Sequence, residues 1–132
     1  MLVALTSALV GACGSGLRAA DLFIVSRTGS NAHARLTLLV NEEGGVRCDG
    51  RARGALSDRQ LVKARAIQEE LQGPASRHLV LPARPGSVLS YYVRDESGSV
   101  RFSDNSPRQP AVLHDLQLFV LSTAQQVCHL PE

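Results

Sequence analysis

With 132 residues, 44% of them apolar, the chain has the size and composition of one globular domain, which excludes a disordered or fibrous protein. A formal net charge of +2, with three phenylalanines, two tyrosines and no tryptophan, supplies neither a basic stripe nor interleaved stacking aromatics. That argues against a nucleic-acid partner. Lys63 is the single lysine, and so strong a preference for arginine points to a GC-rich genome.

Residues 1–12 are uncharged, small and apolar, ending Leu9-Val10-Gly11-Ala12 before Cys13 and Gly14-Ser15-Gly16. The run is too short to span a bilayer, and small residues closing an apolar stretch are the pattern of a secretory signal. Val10-Gly11-Ala12-Cys13 resembles the lipobox of bacterial lipoproteins, and with the composition it makes the chain similar to the small lipoproteins of GC-rich Gram-positive bacteria. The resemblance implies removal of residues 1–12 as a signal peptide, diacylation of Cys13 and a lipid-anchored tether over residues 13–20. It also implies a place on the outer face of the cell membrane, reached through that lipid anchor. With Cys13 as lipid acceptor, Cys48 and Cys128 remain as an even pair, and in an exported chain a disulfide is the expected product. On the chain-entropy model, closing a loop of about 80 residues stabilises the fold by ~4.5 kcal/mol.

The rest, residues 21–132, reads as a single α+β domain. Residues 21–26 (DLFIVS) form a compact strand before the turn residues Arg27 to Asn31. Residues 36–48 (LTLLVNEEGGVRC) and 89–102 (LSYYVRDESGSVRF) are then two copies of one β-hairpin, with Leu36/Leu89, Val40/Val93, Glu43/Glu96 and Arg47/Arg101 in step and one insertion at the turn. Leu36, Leu38, Val40, Val46 and Cys48 face inward in the first copy, and Leu89, Tyr91, Val93, Val100 and Phe102 in the second. Residues 49–56 read as a loop. Ser57-Asp58-Arg59-Gln60 is a capping box that starts a helix with its apolar stripe on Leu61, Ala64, Ile67 and Leu71, and Gly73-Pro74 stops it.

The second half replays this order. Residues 78–82 (HLVLP) stand where DLFIVS stood, Pro85-Gly86 makes the turn and the second hairpin follows. A last helix starts within residues 106–110 and runs to about Leu130, with Val112, Leu113, Leu116, Phe119, Val120, Thr123, Val127 and Leu130 inward. Leu118 and Leu121 lie off that face and offer a route to a homodimer. The expected fold is a duplicated βββα unit, with repeats over residues 21–73 and 78–130. Its antiparallel sheet of about six strands carries both helices on one face, leaving the other open.

No catalytic constellation is visible. Ser103-Asp104-Asn105 matches a triplet of penicillin-binding enzymes, but Ser-x-x-Lys and Lys-Thr-Gly are absent, so the triplet reads as a turn. His33, His78, His114 and His129 are scattered, without metal-ligand spacing, and Gly44-Gly45 and Gly98 belong to hairpin turns. No metal and no cofactor is expected. The open sheet face, carrying Arg35, Leu39, Arg47, Tyr92, Arg94 and Arg101, suits recognition of a carboxylate or a protein. An ordinary solvated face would instead pair those arginines with Glu42, Glu43, Asp95 and Glu96. The reading is a non-enzymatic binding module. The alternative is a secreted inhibitor of a protease or other hydrolase, using residues 51–56 or 82–87 as its exposed loop.

Overall fold

A computed structural model describes residues 17, 18 and 20–131. The proposed signal and the lipid-acceptor Cys13 lie outside the described residues. The fold is the expected α+β arrangement: a six-stranded antiparallel sheet in the order β4-β3-β2-β1-β5-β6, with two helices. β1 is Asp21–Gly29, β2 Leu36–Asn41, β3 Gly45–Cys48, β4 Arg51–Ala55, β5 Leu89–Asp95 and β6 Gly98–Ser103. α1 spans Asp58–Ser76 and α2 Ala111–Gln126. No described helix is long and apolar enough to cross a membrane.

β1 lies in the middle because it is the strand that both hairpins share. It pairs with β2 on one side, Val25 opposite Leu38, and with β5 on the other, Val25 opposite Val93. The two hairpins have matching registers. Val40 meets Val46 and Leu38 meets Cys48 in the first, while Val93 meets Val100 and Tyr91 meets Phe102 in the second. Their turns also use the same device: Asn41 accepts the amides of Glu43 (3.0 Å) and Gly45 (2.8 Å), and Asp95 those of Ser97 (2.8 Å) and Gly98 (3.1 Å). A short polar side chain that bonds the backbone two residues on mimics a backbone turn and fixes where the chain reverses.

Both helices pack on the face that carries Phe23, Val25, Leu36, Leu38, Val40, Val46, Tyr91, Val93, Val100 and Phe102. Ala64, Ile67 and Leu71 of α1 and Leu113, Leu116, Phe119 and Val120 of α2 join them in one core. Phe119 meets Phe23 edge to face, with ring centroids 5.8 Å apart. The same face holds Arg27, buried, whose Nε donates to the Ala34 carbonyl at 2.8 Å. Burial beside it pushes the Tyr91 hydroxyl above its ordinary 10.0, against the opposing pull of Arg27.

Several elements depart from the sequence reading. The expected loop over residues 49–56 contains β4, an exposed five-residue strand that alternation of apolar residues does not mark. Residues 78–82 do not replace β1: Val80, 65% exposed, makes one parallel bridge to Arg101 on the outside of β6. α1 forms the expected capping box, Ser57 with Gln60, but runs past Gly73-Pro74 to Ser76. Pro74 has no amide to bond the Glu70 carbonyl, and only two further residues follow it in the helix. The left-handed closing position is taken by His78 (φ 51), with the His78 amide on the Ala75 carbonyl at 2.9 Å and the Leu79 amide on that of Pro74 at 3.1 Å. α2 is shorter than expected at both ends. It stops at Gln126, which releases Cys128 to reach β3.

Candidate functional site

On the side of the sheet away from the helices, the register sets out two cross-strand rows. Arg47, Leu39, Ile24 and Arg94 follow one another across β3, β2, β1 and β5. Thr37, Ser26, Tyr92 and Arg101 follow across β2, β1, β5 and β6. Arg47 and Arg94 are three strand spacings apart, about 14 Å between backbones. Between them lie Leu39, half-buried, and Ile24, only 5% exposed although it stands outside the core that the helices cover.

Tyr92 organises the basic end of this surface. The Arg101 guanidinium carbon stands 3.9 Å from its ring centroid and that of Arg94 5.8 Å, so two cations share one aromatic ring. Stacking on a ring holds a guanidinium flat while leaving its N–H edge outward, the geometry that takes a carboxylate through two parallel hydrogen bonds. Arg47 is tethered differently, donating to the Gly50 carbonyl at 3.2 Å. Arg35 caps the 3-10 turn before β2, exposed and outside the strand rows. The structure thus brings Tyr92, Arg94 and Arg101 together, puts Arg47 across an apolar strip from them and leaves Arg35 at the margin.

The pairing that an ordinary solvated face would show does not occur. Asp95 points to the helix side, where it is 6% exposed and bonded to its own turn. Among the described residues the one ion pair is Lys63 to Asp115, 3.4 Å, between the helices. Among the described residues the arginines of the open face have no carboxylate partner. Also among the described residues, no group of three or more His, Cys, Asp or Glu is placed to hold a metal ion.

The Ser103-Asp104-Asn105 triplet is used up inside the fold. The Asp104 carboxylate accepts from Ser87 Oγ and Ser103 Oγ, each at 2.9 Å, and from the Val88 amide. Ser87 and Ser103 hydroxyls also bond each other. Asn105 accepts from the Arg84 amide at 3.0 Å and donates to the carbonyls of Arg84 and Pro85. Burial pushes the Asp104 carboxyl up, but hydrogen bonds from Ser103, Ser87 and the Val88 and Leu89 backbone outweigh it and hold the group below its usual range. The triplet therefore clamps the loop over residues 83–88, an exposed turn made rigid.

Cys48 and Cys128 lie at disulfide distance, Cα to Cα 5.9 Å, joining β3 to the chain just past α2. Sequence reasoning did not place Ile24, buried on the face away from the helices, although the unbroken run DLFIVS is the mark of a strand buried on both sides. Comparison of the chain with protein-family models, with curated proteins and with solved structures finds no match.

Proposed function

We propose that the protein is an exported lipoprotein, anchored to the outer face of the cell membrane through Cys13, whose domain is a non-enzymatic binding module for a carboxylate-bearing protein partner. The observation that carries the binding reading is the open sheet face: Arg47, Arg94 and Arg101 flank Ile24, Leu39 and Tyr92, and no side-chain carboxylate of the described residues pairs with them. The half-buried Leu39 and Tyr92 supply contact area and the arginines beside them directional charge, a combination that suits an interface. The cysteine pair supports export, because such bonds persist in oxidising compartments.

Titration with poly-glutamate, followed by NMR of the Tyr92 ring and of the Arg94 and Arg101 side chains, tests the binding reading. Those signals shift on binding, and Arg47→Ala with Arg101→Ala weakens it at least tenfold; unchanged binding places the site elsewhere. Intact mass from the native host tests the anchoring separately. A chain lacking residues 1–12 with an added diacylglycerol supports it, and an unprocessed chain removes it.

The clamped loop favours a second reading, inhibition of a hydrolase. Arg84 and Pro85 are exposed and their backbone is held by Asn105, the rigidity that resists cleavage once bound. Incubation with arginine-specific proteases decides it: inhibition without cleavage supports the reading, and cleavage without inhibition ends it.

A further inference from the structure

The two edges of the sheet are not alike. Beyond β6 the edge is closed by residues 79–81, with the Leu81 amide on the Arg101 carbonyl and the Arg101 amide on that of Leu79, both at 2.9 Å. Beyond β4 none of the described residues pairs, and all five residues of the strand are exposed. An unpaired strand edge presents alternating backbone donors and acceptors, a template for one more strand.

β4 also carries a specific charge pattern. Arg51 pairs with Cys48 and so stands on the helix side, and Arg53, two residues on, borders the same cleft. Both arginines border a cleft of about 240 Å³ whose other walls are Cys48, Cys128, Leu130 and Asp49. Asp49 is committed elsewhere, its carboxylate accepting the Thr37 amide at 2.9 Å. Neither arginine has a carboxylate partner among the described residues. Pairing with the β4 edge of a second copy would set four arginines against one another along adjacent strands, a like-charge arrangement that costs stability. The edge therefore rejects its own kind and favours a strand of opposite charge.

We propose that the outer edge of β4 is a strand-addition site for an extended acidic peptide, which pairs with the backbone of Arg51–Ala55 and places carboxylates on Arg51 and Arg53 over the cleft beside Cys48 and Cys128. This site lies at the edge of the sheet and is separate from the Tyr92 surface on its face.

The test is titration of the full chain with an acetylated, amidated heptapeptide of alternating valine and glutamate. The expected result is shifted and exchange-protected amides across Arg51–Ala55. Arg51→Glu with Arg53→Glu weakens the binding read at those amides at least tenfold. The same peptide with alternate backbone nitrogens methylated keeps every carboxylate and cannot form the ladder, so it leaves the amides of Arg51–Ala55 unshifted. Equal shifts there with the methylated peptide overturn the proposal, since charge alone would then suffice. Shifts confined to Tyr92, Arg94 and Arg101, or none at saturating peptide, overturn it as well.

Discussion

The two hairpins have the same inward pairs and the same turn device, and both lie against β1, yet their outer flanks are held by different chemistry. The β2–β3 hairpin is fastened by one covalent link, Cys48 to Cys128, and carries β4 as an open edge. The β5–β6 hairpin is fastened by many hydrogen bonds from Ser87, Ser103, Asp104 and Asn105 and is sealed by residues 79–81. A common strand pattern therefore settles the inside of the sheet. What the molecule presents to a partner is decided by the flanks.

The largest change comes from cutting the covalent side. Cys48→Ala with Cys128→Ala closes no loop in the unfolded chain and is expected to cost about 2–5 kcal/mol, with ~4.5 kcal/mol as the entropic figure for a separation of 80 residues. Guanidinium unfolding measures the loss. Amide exchange locates it, rising first at β3 and β4 while β5 and β6 stay protected.

Next comes the sealed side. Gly98 opens β6 at φ +152, and a Cβ there would collide with the Ala75 carbonyl at the end of α1. Gly98→Ala is expected to cost about 1–3 kcal/mol in thermal or chemical unfolding, by backbone strain and by pushing α1 off the hairpin. Asp104→Asn is smaller and has a pH signature. The folded carboxyl is held below its ordinary value of 3.8, so its contribution is present above that pH and lost as pH falls through the folded pKa. Wild type and variant should therefore differ at neutral pH and converge in acid, and a constant difference would mean that the charge is not what matters.

How much of this was legible beforehand follows the same division. The hairpins were readable because apolar alternation, an acidic turn and Val-Arg-apolar recur in step, and the capping box at Ser57 was readable because it is local. Setting Cys13 aside as the proposed lipid acceptor left Cys48 and Cys128 as the expected pair, and these two lie at disulfide distance. β4 was not readable: Arg-Ala-Arg-Gly-Ala has no inward face to alternate against, since its strand is made by the neighbour it pairs with. The role of Asp104 was equally hidden, because its partners Ser87 and Val88 lie far away in the chain. On the open face the arginines could be listed, but their lack of carboxylate partners depended on Asp95 turning inward, which the turn geometry decides.

The smallest expected effect concerns α2, the element that joins the two flanks. Past its C-terminal end Cys128 ties to the open-edge hairpin, and before its start Gln109 bonds the Ser103 carbonyl of the sealed one at 2.9 Å. Its outward side bears Leu118, 67% exposed, and Leu121, 47% exposed, three residues apart and so on one helical face. A second copy meeting these two leucines would bury far less than the roughly 800 Å² per partner of a stable interface, so self-association through them is expected to be weak and concentration-dependent. Sedimentation over a wide concentration range is expected to show that weak association, and Leu118→Glu with Leu121→Glu to abolish it while changing stability by no more than about 0.5 kcal/mol. Association that survives the substitution would have to use another surface.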